Sequence, residues 1–254
     1  MRLKLTIAYV GTQFKGWQVQ DHAHYLAPRT VQAELEAVIG RIAGGPVRVH
    51  GSGRTDSGVH ADGQVAHVDI PDEKAAIDWQ RAINAQLAPD VAVLAAEPAP
   101  EDFHAQYSCL RKAYAYSLWL TRAYTPPKLR GFVWNTGELD LAAMDAAAAH
   151  FLGSHDFAAM QNIGTPLKST VRTIYSLNRA ADLNPDWSQY LIHWRVEADG
   201  FLKQMVRNIM GLLADVGRGK LAPDAVPAIL NACDRRASPA TAPPSGLTLA
   251  KVYY

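Results

Sequence analysis

The sequence predicts an α+β fold: a mixed, largely antiparallel sheet built from two ferredoxin-like halves of order β-α-β-β-α-β, with a cleft between them. Three observations predict it. Short segments alternate apolar and polar residues, the period of half-buried strands; other segments repeat their apolar residues at helical spacing; and the order strand, helix, strand, strand, helix, strand occurs twice along the chain. The repeat is one of architecture, without a visible repeat of sequence, and it divides the chain into residues 1–105 and 106–254.

In the first half, Leu3, Leu5, Ile7 and Tyr9 alternate with more polar positions up to Gly11 and predict a strand. Thr30 is an N-cap for a helix in which Val31, Leu35, Val38, Ile39 and Ile42 share a face and Gly44-Gly45 stop it. "VRVH" is a short strand that leads into a loop, and "QVAHVDI" leaves that loop as a strand closed by Pro71. Helical "AIDWQRAINAQL" and strand-like "VAVLAAEP" complete the half.

The second half runs strand "KAYAYSLWL", helix "LAAMDAAAAHFL", strands "VRTIYSL" and "YLIHWRVEA", helix "KQMVRNIMGLLADV" and strand "LTLAKVYY". In its last helix Met205, Ile209, Leu212, Leu213 and Val216 form the apolar stripe. Arg207 projects to the far side, near Lys203 and above Gly211 and Ala214. A guanidinium there is either in solvent or paired with a carboxylate brought by the sheet, and spacing alone does not choose. "SPATAPPSG" is a Pro-rich loop within the domain.

Bulk properties exclude several classes. With 254 residues and 48% hydrophobic content the chain can bury a substantial core unaided. Two cysteines, Cys109 and Cys233, argue against a disulfide scaffold and fit a reducing, cytoplasmic setting. The alternating start "MRLKLTIAYV" is unlike a signal peptide, and no window approaches the ~18 apolar residues of a membrane span. A net charge of +1 and a pI near 7.8 do not announce a nucleic-acid binder. Basic pairs such as Arg111-Lys112, Lys168 with Arg172, Arg218 with Lys220, and Arg235-Arg236 either converge on one face or are ordinary solvated charge.

The densest chemistry is "GRTDSGVHA", residues 53–61. It has the glycines of a phosphate loop without the Gly-Lys-Ser/Thr ending. It contains Asp-Ser-Gly, but an aspartic protease needs two carboxylates sharing a proton and no second copy exists. Asp56 therefore either caps a turn, a common use of Asp, Ser and Gly, or is a working carboxylate. The histidines, among them the close pair His22 and His24, show no metal-ligand spacing, so no metal site is predicted. No G-x-S-x-G elbow supports a serine hydrolase.

Taken together with "FKGWQVQ", "TVQ", "FHAQYSCLRKAYAY", "GSHDF", "VRTI", "FLKQMVRNIMG" and "APPSGLTLAKVYY", this segment resembles the pseudouridine synthases, specifically the tRNA enzymes that act at positions 38–40 of the anticodon stem-loop. The ordered matches span the whole chain. Departures from the family pattern are Val10 in place of an acid, Gln106 in place of Arg, Cys109 in place of a small Ala, and Met160 in place of Phe.

The resemblance implies isomerisation of uridine to its C-glycoside in tRNA, with no cofactor, in a homodimer. It implies that the half at 1–105 carries the essential Asp56 while the half at 106–254 completes one catalytic unit. Arg207 then pairs with Asp56, because a carboxylate drawn away from water needs a compensating cation. Tyr114 stacks on the target uracil and takes part in proton transfer; alternation alone would read Tyr114 and Tyr116 as core aromatics. Arg54 contacts the extruded nucleotide, Leu249 supports the base, and Lys168 and Arg172 contact tRNA. Asp56 attacks C1′, attacks C6, or promotes elimination to a glycal. The alternatives are a pseudouridine synthase with another RNA target and a non-catalytic tRNA-binding protein.

Overall fold

The alternation at the start of the chain becomes a strand in the computed structural model, which describes residues 1–19, 28–162 and 169–254. β1 (Arg2–Tyr9) buries every second residue, with Leu3, Leu5, Ile7 and Tyr9 all inward. It is followed by α1 (Val31–Ala43), β2 (Val49–Gly51), β3 (His60–Asp69), α2 (Trp79–Asn84) and β4 (Val91–Ala99). α1 begins where the Thr30 hydroxyl accepts the Ala33 amide at 3.3 Å and ends at Gly44, whose φ of 84° suits glycine. The Asp78 carboxylate caps α2 in the same way, at 3.1 Å from the Arg81 amide.

Met1–Leu110 and Thr248–Tyr254 form one compact unit, and Arg111–Leu247 form a second. In the first, β1 pairs antiparallel with β3 (Leu5 opposite Ala66) and with β4 (Leu5 opposite Ala96), and β2 lies antiparallel on β3 (His50 opposite His67). The resulting order β4-β1-β3-β2, all antiparallel, is the ferredoxin-like arrangement. Leu5, Ile7, Leu35, Ile39 and Ile83 are fully buried in its core.

The second unit contains β5 (Arg111–Trp119), β6 (Trp134–Asn135), α3 (Leu141–Ala149), β7 (Gly153–Asp156), β8 (Val171–Ala181), β9 (Leu191–Ala198), α4 (Met205–Gly217) and α5 (Val226–Asn231). Its sheet runs β5-β9-β8-β7 in antiparallel pairs, with Tyr114 opposite Val196, Leu177 opposite Val196, and His155 opposite Arg172. The fold is thus α+β with largely antiparallel sheets in both units. β6, β7 and α5, of 2, 4 and 6 residues, are additions to the predicted order; "WN" and "GSHD" carry no apolar alternation.

The last strand, β10 (Leu247–Tyr253), lies parallel on β3, with Thr248 opposite His60 and Leu249 opposite Ala61. The sequence pattern counts this strand with the second half, but residues 248–254 pack with the first unit. Gly63 permits the approach, since a Cβ there would stand 2.7 Å from the Ala250 carbonyl oxygen. The Tyr254 hydroxyl donates to the Ala105 carbonyl at 2.6 Å and the Leu110 amide to that of Tyr253 at 2.9 Å, fastening the end of the chain. Among the described residues no helix is long and apolar enough to cross a membrane.

Candidate active site

The loop between β2 and β3 is far more constrained than a hairpin turn. Its residues cannot all satisfy their backbone groups locally, so a second segment, 14–17, supplies partners. The Trp17 amide donates to the Thr55 carbonyl at 3.1 Å, and the Phe14 carbonyl accepts both the Gly58 amide at 3.3 Å and the Ser57 hydroxyl at 3.1 Å. Asp56 is thereby bracketed on both sides, and its own carbonyl accepts the Val59 amide at 3.2 Å. Gly58 has a φ of 81°, which makes the turn possible. Gly16 is required twice over: its φ is 93°, and a Cβ there would lie 2.7 Å from the Thr55 carbonyl oxygen.

Phe14 is itself held. Its ring lies under the Arg29 guanidinium at 4.1 Å, and Arg29 makes a two-point bond to Asp90 at 2.6 and 2.7 Å with a third bond to Glu34. These carboxylates raise the already high pKa of Arg29. At the other side, the buried Tyr9 hydroxyl lies 2.8 Å from Thr55 Oγ1, and the Gln64 amide nitrogen donates to the Gly53 carbonyl at 2.9 Å. Burial pushes the Tyr9 phenol up, keeping it neutral. The Gly11 amide donates to Nδ1 of buried His60 at 3.1 Å, closing the loop at its exit.

Asp56 is half-buried and Arg54 exposed. Leu249 is buried and, through the parallel pairing of β10, stands opposite Ala61, the residue that closes the "GRTDSGVHA" segment. The first unit thus brings Arg54, Asp56 and Leu249 to one end of β3. Asp56 is thus a half-buried carboxylate on a braced backbone, two residues after the exposed Arg54.

The second unit carries the other predicted residues. Tyr114 and Tyr116 lie on β5, both buried; the Tyr114 ring meets Phe201 edge-on at 5.0 Å. Arg207 is half-buried on the first turns of α4, and its Nε donates to the Ala242 carbonyl at 2.8 Å. The predicted apolar stripe of α4 is buried, but so are Gly211 and Ala214 behind Arg207. The small residues admit backbone: a Cβ at Gly211 would be 2.1 Å from the Ala240 carbonyl oxygen.

Arg172, on β8, donates to the carbonyls of Ser169 and Val171 at 3.1 and 2.6 Å. Lys168, His22 and His24 lie outside the described residues. Some of the basic residues are matched by acids: Arg218 and Lys220 both meet Asp215, and Arg236 meets Asp234. Of the departures, Val10 is exposed with its amide on the Asp90 carbonyl, Gln106 is exposed, Cys109 is half-buried, and buried Met160 offers its carbonyl to Asn208.

Sequence inspection missed the anchors Tyr9, Gln64 and Arg29. Gln64 did carry a signal, a polar residue at an inward strand position, where an unpaired amide would be costly. Also unforeseen is a run of ring contacts on the first unit, His50 stacked on His67 at 4.9 Å, His67 edge-on to His104 at 4.6 Å and His104 tilted against Tyr107 at 4.3 Å. Nδ1 of His67 accepts the Ala105 amide, and Nδ1 of His104 accepts those of Gln106 and Tyr107. Among the described residues no group of three or more His, Cys, Asp or Glu is arranged to hold a metal.

A profile described as tRNA pseudouridine synthase matches residues 5–108 and 147–254. Curated relatives match along the whole of this chain. The chain is 52% identical to a protein named tRNA pseudouridine synthase A from Nitratidesulfovibrio vulgaris, covering 100% of this chain and 96% of that one. It is 54% identical to the protein of that name from Oleidesulfovibrio alaskensis, again over 100% and 96%. Identity to the one from Geobacillus kaustophilus is 39%, over 100% and 94%.

Proposed function

The chain belongs to the tRNA pseudouridine synthase family, and from that premise we propose that it isomerises uridine to pseudouridine at positions 38–40 of the tRNA anticodon stem-loop with Asp56 as the essential carboxylate. The observation that carries the assignment is the bracing of Asp56: three bonds from Phe14 and Trp17 to its neighbours, and the Tyr9–Thr55 contact, hold a half-buried acid in one place. A turn cap needs no such frame. A group that must meet one atom of a rotating base does.

The reaction balances within the substrate. The bond from N1 to C1′ breaks, the uracil turns while held, C5 bonds to C1′, C5 loses its proton and N1 gains one. Asp56 opens the sequence by attack at C1′, by attack at C6, or by promoting loss of the C2′ proton to give a glycal. Arg207 is assigned to pair with the Asp56 carboxylate. Tyr114 is assigned to stack on the uracil and to accept the C5 proton, directly or through solvent. A stem uridine must first leave its helix, at a cost of a few kcal/mol. Arg54 is assigned to grip the extruded nucleotide and Leu249 to support the base. Lys168 and Arg172 are assigned to the tRNA backbone. Residues of both halves, 1–105 and 106–254, serve this one reaction in a cytoplasmic homodimer.

Incubation with a tRNA transcript tritiated at uridine C5 tests this directly. Tritium should be released from the wild-type reaction and pseudouridine should map to the anticodon stem-loop, while Asp56→Ala should bind tRNA and release nothing. Release with pseudouridine at other positions would assign another RNA target. Binding without release by the wild-type protein would make the chain a tRNA-binding protein only.

A further inference from the structure

Residues 240–243 of the second unit cross α4 at its small face and carry a mount for Arg207. At Ala242 the bonding is reciprocal: its amide donates to the Arg207 carbonyl at 3.1 Å, and Arg207 Nε donates back to its carbonyl at 2.8 Å. A guanidinium is planar, so anchoring it at Nε sets the direction of its remaining N–H groups. The carbonyl that anchors it belongs to a segment without helix or strand of its own. What keeps that segment in place therefore decides where the charge points.

Three side chains keep it, Asn208, Arg235 and Tyr116, with Arg235 Nη2 donating to Thr241 Oγ1 at 3.0 Å and to Asn208 Oδ1 at 3.1 Å. On one side of Ala242, the Thr241 hydroxyl donates to Oδ1 of fully buried Asn208 at 2.7 Å, while Asn208 Nδ2 donates to the Met160 carbonyl at 2.7 Å. On the other side, the Tyr116 hydroxyl donates to the Pro243 carbonyl at 2.7 Å. The Tyr116 ring is buried, meets Trp134 edge-on at 6.2 Å, and lies against Gly246, where a Cβ would be 2.6 Å from the ring carbon Cε1. Burial pushes the phenol up, so it stays a proton donor throughout the neutral range. The second tyrosine of "KAYAY" and the "APPSG" segment thus form one device, in which Gly246 makes room for the ring and Pro243 takes its hydroxyl.

We propose that Tyr116 is a positioning residue for the reaction: by holding the Pro243 carbonyl it fixes the neighbouring Ala242 carbonyl, and through it the plane of the Arg207 guanidinium. The inference rests on the assignment of Arg207 as the partner of Asp56. It separates the two tyrosines of β5, Tyr114 acting on the substrate and Tyr116 acting only through Arg207.

The test uses Tyr116→Phe, which keeps the ring and deletes the hydroxyl, together with Arg207→Lys, which has no Nε–H to anchor. In protein labelled with ¹⁵N-arginine, the Arg207 Nε–H resonance is identified by its loss in Arg207→Lys. Its solvent exchange should quicken at least ~10-fold in Tyr116→Phe, without any need for turnover. In the tritium assay Tyr116→Phe should lower kcat about 10-fold with KM for tRNA within about twofold, and should have no further effect in the Arg207→Lys background. Gly246→Ala, which displaces the ring and retains the hydroxyl, should give the same signature. Unchanged Nε–H exchange, or losses in Tyr116→Phe and Arg207→Lys that multiply, would overturn the proposal and leave the assignment of Arg207 standing. Arg207→Lys as active as wild type would remove that assignment and the proposal with it.

Discussion

The hydroxyl of Tyr9, the last residue of β1, lies 2.8 Å from Oγ1 of Thr55, the residue before the candidate catalytic carboxylate. Both side chains are buried. A strand whose other inward residues are purely apolar ends in a polar contact that reaches 46 positions along the chain.

Removing one side of that contact should loosen the loop without dismantling the sheet. Thr55→Val, close to isosteric, should destabilise the protein by about 1–2 kcal/mol in urea unfolding. Tritium release should fall about 10-fold while tRNA affinity changes less than about twofold. Equal losses in affinity and turnover would mean that Thr55 serves binding rather than placement.

Gly16 should tolerate no side chain. With φ at 93° and the Thr55 carbonyl oxygen 2.7 Å from the point a Cβ would occupy, Gly16→Ala should cost about 2 kcal/mol or more and displace the loop. Gly45→Ala is the control, since a Cβ there meets nothing within 4 Å; its stability should change by less than about 0.5 kcal/mol. Thermal melts of the two variants measure the contrast.

Stability should depend on pH through His67. Its pKa is pushed down to about 4, first by burial and then by His104, Arg2 and His50, with Asp69 opposing them. Unfolded, the imidazole takes a proton near pH 6.5. Below that pH the unfolded state binds more protons than the folded one, so stability falls as pH drops from about 6.5 towards about 4 and is level above. The loss should be about 3 kcal/mol by pH 4. His67→Asn, which can still accept the Ala105 amide, should flatten the melting-temperature profile across that window.

Tyr114→Phe should separate stacking from proton transfer. The ring would keep its edge-on contact with Phe201, so tRNA affinity should hold within about twofold. Turnover should fall by about 100-fold if the hydroxyl handles the C5 proton. Wild-type turnover in this variant would confine Tyr114 to stacking.

Affinity for tRNA should fall steeply with salt, by at least ~10-fold between about 50 and 200 mM, because phosphate contacts release counterions. Arg54→Ala, which removes an exposed cation two residues before Asp56, should lower the slope of log K against log salt by about one. An affinity flat in salt would contradict the assigned tRNA contacts.

Much of the architecture was legible because its causes are local. The alternation of β1, the Thr30 cap and Gly44 stop of α1, and the apolar stripe of α4 each depend on neighbours within a few residues. β6 and β7 were not legible, since "WN" and "GSHD" carry no apolar alternation, and the partner of β10 was hidden because strand pairing depends on a distant segment. At the site, Asp56 could be picked out by the company it keeps in sequence. Tyr9 could not, because in β1 it reads as one more apolar residue in the series Leu3, Leu5, Ile7.

By itself the sequence determined the order of elements, the inward faces of the strands and the acid in "GRTDSGVHA", all of which follow from periodicity and residue chemistry over short spans. Only the tertiary structure decided that Phe14 and Trp17 hold the neighbours of Asp56, that Leu249 stands at the end of β3, and that the Ala242 carbonyl orients Arg207. The physical reason is that a backbone carbonyl is the same group at every residue. Which of them is buried beside a given donor is settled by how distant segments pack, and no side-chain pattern along the chain records it.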